Sequence, residues 1–213
     1  MFKDRRDAGR QLAAELTKLD LPDPVVLALP RGGVAVAVEI AKALRCPLDL
    51  VLVRKIGSPG HAELAAGAVV DGDMPVLVRN EDVIRHYDID ETWLESERRH
   101  QLDEIERRRA LYLGSRPRAG IAGRTAIVVD DGIATGATVR AALQAVRACA
   151  PREIVLAVPV AAPEVLTDLA ATCDRTVCLD RNPHLSAVGQ AYRDFTQVED
   201  EEVIAMLAEV PGG

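Results

Sequence analysis

The stretch Ile127-Val128-Val129-Asp130-Asp131-Gly132-Ile133-Ala134-Thr135-Gly136-Ala137-Thr138 decides how this chain reads. Thr125 to Val129 is a short apolar run of the kind that forms a buried strand, and it ends in two adjacent acids. A loop holding Gly132 and Gly136 follows. Ala137 to Cys149 then reads as a helix, with Thr135 and Thr138 flanking its start. A strand that passes through a short loop into a helix is one arm of a parallel α/β sheet. In such sheets ligands bind beyond the carboxyl ends of the strands, which is where this loop must lie.

The same rhythm extends outward in both directions. Upstream, Val25 to Leu29 is an apolar run bounded by prolines, Pro30-Arg31-Gly32-Gly33 a loop, Val34 to Arg45 a helix and Leu48 to Val53 a second buried strand. Downstream, Ile154 to Val160 reads as a strand, Pro163 to Ala171 as a helix and Thr176 to Leu179 as a last strand. Parallel strands joined by right-handed crossovers follow, giving an α/β fold with a doubly wound parallel sheet of about five strands. Residues 4–19 read as an amphipathic helix with Leu12, Leu16 and Leu19 on one stripe.

An insertion separates the two halves. Residues 56–66 read as a mobile loop, and residues 67–79 as a hairpin turning at Asp71-Gly72-Asp73. Residues 90–113 read as a long charged helix with i,i+4 pairs Glu95/Arg99, Asp103/Arg107 and Glu104/Arg108. Its Arg98-Arg99 and Arg107-Arg108-Arg109 segments read as a solvated face, with a cover over the site or a dimer contact as the alternative. The 213 residues suit a single domain: a core of about 24–56 and 124–180, an insertion of about 57–123, a small C-terminal hood of about 181–210 and a frayed tail, Pro211-Gly212-Gly213.

Apolar residues make up 48% of the chain, enough for a buried core, and the net charge of −7 argues against a nucleic-acid partner. No apolar run reaches the ~18 residues needed to cross a bilayer, and the N-terminus lacks a signal-peptide stretch, so a cytoplasmic protein is expected. Cys46, Cys149, Cys173 and Cys178 form no Cys-x-x-Cys pair and read as small buried hydrophobes.

The chemistry of the loop narrows the ligand. Glycines allow close backbone approach, amides at a helix N-terminus bind phosphate, and Thr135 and Thr138 add hydroxyl donors. Paired carboxylates suit a sugar diol or a hard cation such as Mg²⁺. One ligand that unites phosphate, diol and metal-bound pyrophosphate is 5-phosphoribosyl-1-pyrophosphate (PRPP). The stretch Val128 to Thr138 resembles the PRPP-binding motif of the type I phosphoribosyltransferases. That resemblance implies the fold of that family and transfer of the phosphoribosyl group from PRPP to a nitrogen acceptor, with release of pyrophosphate. Carried over, Asp130 and Asp131 hold the ribose hydroxyls, directly or through Mg²⁺. Gly132 joins the PRPP-binding residues, and Ala134, Thr135, Gly136, Ala137 and Thr138 wrap the 5′-phosphate. Ala28-Leu29-Pro30-Arg31-Gly32-Gly33-Val34 is similar to the family's pyrophosphate loop, with Arg31, Gly32 and Gly33 as binding residues and a non-proline cis peptide expected among residues 30–32. Arg54 and Lys55 resemble the cationic pair that meets pyrophosphate at a strand end, and loop 56–66 would close over the site on Gly57 and Gly60.

The resemblance also marks what distinguishes this chain. Ala134 stands where 6-oxopurine enzymes carry an Asp, which weakens a hypoxanthine-guanine assignment without establishing adenine. Tyr192-Arg193-Asp194-Phe195 is similar to a Tyr/Phe-Arg-Asp segment that those enzymes place near base and metal. It makes Tyr192, Asp194 and Phe195 acceptor candidates, against the alternative of a strand end with core aromatics. His61 is a candidate proton carrier, against the alternative of a solvated loop histidine. The Asp4-to-Arg10 start, Arg54 to His61 and Tyr192 to Phe195 also resemble a bacterial group of phosphoribosyltransferases without an assigned acceptor, and a homodimer is a family expectation. Two other functions compete: a PRPP- or nucleotide-binding regulator on the same fold, and a hydrolase using Asp130 as nucleophile. The hydrolase lacks the expected Asp-x-Asp, Gly-x-Ser-x-Gly and Gly-Lys-Ser/Thr signatures.

Overall fold

Residues 1–72 and 75–211 are described by the computed structural model (of 62 and 63, the backbone alone). The elements in chain order are α1 (Arg5–Leu16), β1 (Pro24–Ala28), α2 (Gly32–Leu44), β2 (Leu48–Leu50), β3 (Val53–Ser58), β4 (His61–Val70), β5 (Val76–Arg79), α3 (Glu81–His86), α4 (Glu91–Leu113), β6 (Thr125–Val129), α5 (Ala137–Ala148), β7 (Glu153–Ala161), α6 (Pro163–Leu169), β8 (Arg175–Arg181), a short 3₁₀ turn (Val188–Ala191) and α7 (Asp200–Leu207).

Five strands form one parallel sheet in the order β2-β1-β6-β7-β8. The run of Val, Ile, Leu and Ala in β1 and β6 is what a strand covered on both faces requires. Val26, Ala28, Ile127, Val129, Val155 and Ala157 point to the side of α1 and α2, and Val25, Leu27, Ala126, Val128, Ile154 and Leu156 to the side of α5 and α6. Chain direction across the sheet reverses between β1 and β6, so the crevice above their carboxyl ends is the switch point where such sheets bind ligands.

The second sheet is antiparallel, in the order β3-β4-β5. It corrects two expectations. The apolar run Leu48 to Val53 is not one strand: β2 ends at Leu50, and Val53 opens β3 in the other sheet. Residues 56–66 are not a loop but most of the β3–β4 hairpin, which turns at Pro59 and Gly60, with Gly60 at φ 76°. The expected 67–79 hairpin is present as β4 and β5, though Asp73 of its turn lies outside the described residues, as do Gly212 and Gly213 of the tail.

The long charged helix is α4. Arg99 and Arg108 make the expected i,i+4 pairs with Glu95 and Glu104, whereas Arg107 turns to Glu104 rather than Asp103. Arg109 departs from the solvated face altogether. Its side chain is half-buried, at 11% exposed, bonds both oxygens of Asp49 at 2.8 and 3.0 Å, and reaches Asp71 at 3.2 Å. Asp71 in turn pairs with Arg118 at 2.7 Å, and the two acids also accept backbone amides of Leu50, Leu52 and Ala119. This network ties α4 to the edge of the main sheet and to the end of β4. None of the four cysteines is in a disulfide; Cys46 and Cys173 are buried as expected, whereas Cys149 and Cys178 are half-buried. No helix among the described residues is long and apolar enough to cross a membrane.

Candidate active site

Two loops leave adjacent strand ends and meet. β1 runs into Leu29-Pro30-Arg31, where the Pro30–Arg31 peptide is cis, as expected among residues 30–32, and α2 begins at Gly32. β6 runs into Asp130-Asp131-Gly132, and α5 begins at Ala137 after Gly136, whose φ of 77° is a left-handed value that suits glycine. Leu29 donates its amide to the Val129 carbonyl at 2.9 Å, locking the loops together at their roots. A methyl on Gly32 would stand 1.9 Å from Asp131 Oδ2, so the absence of a side chain there lets the acid lie against the first loop. No side chain caps the first turn of α2 or of α5. In α2 the Gly33 and Val34 amides donate instead to the Leu29 and Arg31 carbonyls, so what faces the crevice holding the acid pair is the positive end of each helix dipole together with the uncapped first turn of α5.

The acids differ in surroundings. Asp130 Oδ1 accepts the Asp131 amide at 2.9 Å. Burial, reinforced by the Asp131 charge beside it, raises its carboxyl well above the ordinary value. Asp131 Oδ2 is bonded by Arg5 Nε at 2.7 Å, and the Asp131 carbonyl accepts the Tyr192 hydroxyl at 2.5 Å. Burial also pushes the Tyr192 phenol upward, so it stays a neutral donor. Among the described residues no group of three or more His, Cys, Asp or Glu could hold a metal. The two adjacent carboxylates offer the hard oxygens Mg²⁺ takes, and the remaining ligands would have to come from the substrate and water.

The cationic candidates divide. Arg31 lies 3.5 Å from Glu199 and 3.7 Å from Asp200 at the start of α7, and Asp200 also accepts the Tyr112 hydroxyl at 2.6 Å. Arg54 and Lys55 sit inside β3, not at the end of a main-sheet strand, which corrects the placement expected for them. Arg54 turns its Nε to Gln101 of α4 at 3.1 Å. Lys55 is exposed and shares a cavity of about 470 Å³ with Thr138 and Arg140, walled by Val53, Ala65, Ala68, Val78 and Ala141. Thr135, Ala137 and Thr138 are exposed and Gly136 is buried.

The acceptor candidates fall into two groups: His61 lies in the antiparallel sheet, whereas Tyr192, Asp194 and Phe195 share one segment in which Tyr192 and Phe195 stack. His61 opens β4, so it is a strand residue, with its ring 5.6 Å from that of Tyr87. Asp194 accepts the Thr196 amide and hydroxyl. The Phe195 ring already has three neighbours: Tyr192 stacked at 5.1 Å, the Arg5 guanidinium at 3.8 Å and the Gly189 backbone. Arg5 is the residue bonded to the acid pair that sequence reasoning passed over. Its signal was present in the charged Asp4-Arg5-Arg6-Asp7 start, but nothing in the local pattern distinguishes a helix-surface arginine from one folded onto a loop 126 residues away.

Comparison with known proteins agrees with this geometry. A family model for the phosphoribosyl transferase domain matches residues 3–194. The protein named "Putative phosphoribosyl transferase Rv0571c" of Mycobacterium tuberculosis (strain ATCC 25618 / H37Rv) is 47% identical over 207 residues, covering 97% of this chain and 46% of that one. The chain thus spans about half the length of the curated relatives it matches. The crystal structure of TT1426 from Thermus thermophilus is 47% identical, covers 99% of both chains and superposes with a TM-score of 0.85. The AQ2163 protein from Aquifex aeolicus, at 12% identity and a TM-score of 0.50 over 84% of this chain and 74% of its own, shares the fold alone. The loop pair at the β1/β6 switch point and the match over residues 3–194 lead to one conclusion: this chain belongs to the phosphoribosyl transferase domain family.

Proposed function

We propose that this chain transfers the phosphoribosyl group of PRPP to a nitrogen acceptor of nucleobase type, with release of pyrophosphate and dependence on Mg²⁺. The observation that carries this reading is the convergence of two helix N-termini, α2 and the uncapped α5, on the crevice that holds Asp130 and Asp131. Such a crevice suits a ligand with two anionic ends and hydroxyls between them. The α5 turn, with Thr135 and Thr138, would bind the 5′-phosphate. The α2 turn and Arg31 would bind the pyrophosphate, with Lys55 reaching in from β3. Asp130 and Asp131 would accept hydrogen bonds from the ribose hydroxyls and hold Mg²⁺, which when bound neutralises charge on the leaving group.

In the reaction the C1–oxygen bond to pyrophosphate breaks and a C1–nitrogen bond forms. The protein's share is to fix C1 against the acceptor and to stabilise the departing anion. The cavity between β3–β5 and α5 is within the size range of small-molecule sites and is the space we assign to the acceptor side. A second reading, a protein that binds PRPP without turning it over, draws on Arg54, whose guanidinium is engaged by Gln101 of α4.

Calorimetric titration with PRPP, with and without Mg²⁺, tests the site. Saturable, magnesium-dependent binding is expected, and absence of binding under both conditions would overturn the proposal. Pyrophosphate release on acceptor addition separates the enzyme from the regulator, which would bind PRPP and release none.

A further inference from the structure

The residues around Arg5 form a unit that the family motif does not include. The chain from Phe2 to Lys3 runs beside residues 191–194: Phe2 donates its amide to Ala191, Arg193 donates to Phe2 and Asp194 to Lys3. This stitching delivers Arg5, the first residue of α1, to the carboxyl end of β6. Its guanidinium is then held three ways. Nη1 donates to the Thr196 carbonyl at 2.8 Å, the group lies 3.8 Å from the Phe195 ring centroid, and Nε donates to Asp131 Oδ2 at 2.7 Å. The Arg5 side chain is only 11% exposed and that of Asp131 15%. A charge-assisted bond so shielded from water is strong and directional, unlike a surface pair.

We infer that Arg5 is a positioning residue for the site: it acts through Asp131, fixing that carboxylate against Gly32 so that one oxygen is committed to the protein and the other is presented to the ligand. Three observations converge on this. Asp131 Oδ2 lies where a methyl on Gly32 would be, with Arg5 Nε 3.1 Å from the same point. The Tyr192 hydroxyl fixes the Asp131 backbone from the segment that also holds Arg5. And the hydrogen bond from Arg5 falls on Oδ2 of Asp131 rather than on Oδ1, so the carboxylate is gripped at one oxygen. The positive charge further offsets the repulsion of two adjacent acids, which otherwise opposes bringing both against an anionic substrate.

This inference rests on the PRPP reading. The test is a double-mutant cycle of R5M and D131N, read as PRPP affinity in the presence of Mg²⁺, with thermal unfolding of each variant to confirm folding. R5M alone should weaken PRPP binding by about tenfold or more, and in the D131N background by less than about threefold, because the two residues act as one unit. R5K guards against a variant that does not fold. A single ammonium cannot reach both Asp131 and Thr196, so R5K should bind PRPP more weakly than wild type, and its loss should also vanish in D131N. Equal losses with and without D131N would overturn the inference, since Arg5 would then touch the ligand itself. So would wild-type affinity in R5M. If the wild-type protein itself binds no PRPP, the underlying reading and this inference fall together, an outcome distinct from an additive cycle.

Discussion

Gly32→Ala tests the contact on which the site depends. The added methyl would lie 1.9 Å from Asp131 Oδ2 and 2.6 Å from Cγ. To reach ordinary contact at 3.4 Å the carboxylate must retreat by about 1.5 Å. It has no easy way back: Arg5 Nε stands 3.1 Å from the same methyl, and the Asp131 backbone is held by Tyr192 at 2.5 Å. Overpacking of this kind costs about 1–3 kcal/mol. Opening the Arg5–Asp131 bond adds the loss of a charged hydrogen bond, about 1.5–3 kcal/mol. The expected outcome is a lower urea midpoint together with a loss of roughly 10- to 100-fold in PRPP affinity, since each tenfold corresponds to about 1.4 kcal/mol. Gly120→Ala is the control, because a methyl there meets nothing within 4 Å. Wild-type stability and wild-type affinity in G32A would refute the reasoning, because the acid could not then be lying on the first loop.

Three further outcomes follow from the same geometry. The double variant E199Q/D200N releases Arg31 from its two acids and should tighten PRPP binding several-fold in calorimetry; weaker binding would mean that the acids hold Arg31 in its productive pose. Arg109→Met strands Asp49 and Asp71 in the interior and should cost about 3–5 kcal/mol in denaturant unfolding, whereas a change within error would show that water or Arg118 compensates. Asp130 has a folded-state pKa raised above the ordinary 3.8, so its contribution to stability is full below that value and is lost as pH rises through the raised one. Unfolding of the ligand-free protein across the acid range should show this loss, and D130N should flatten it; identical pH profiles would remove Asp130 as the cause.

Much of the fold was legible because β1, β6 and β7 are short apolar runs fenced by turn residues, and each leads through glycine or proline into a helix. Thr125–Val129 matches its sequence limits to the residue. The acid pair and the glycines after it were legible for the same reason, since their chemistry is local. The errors have a shared physical origin. In Leu48 to Val53 the apolar run is continuous, but Asp49 is anchored by Arg109 and Ala119, and the chain leaves the sheet after Leu50. Residues 56–66 carry glycine, proline and small residues that argue for a loop, yet pairing of Ile56, Gly57 and Ser58 of β3 with Gly67, Ala65 and His61 of β4 holds them as a hairpin. Arg5 and Arg109 look like surface charges along their helices. Their buried roles come from partners far along the chain, which no local window contains.

The sheet order carries a kinetic consequence. β7 and β8 join β6 through short crossovers, so that side of the sheet can assemble from neighbours in sequence. β1 meets β6 only by bringing Pro24 opposite Thr125, roughly a hundred positions apart, with the whole antiparallel insertion spanned in between. Long-range closures of this kind slow assembly. The two halves of the crevice, one contributed by the loop after β1 and the other by the loop after β6, therefore come into being at the most distant pairing in the sheet. A refolding experiment followed by ligand capture would time that closure directly, because a chain that has formed only its sequence-local half has half a crevice and nothing with which to hold the other end of the ligand.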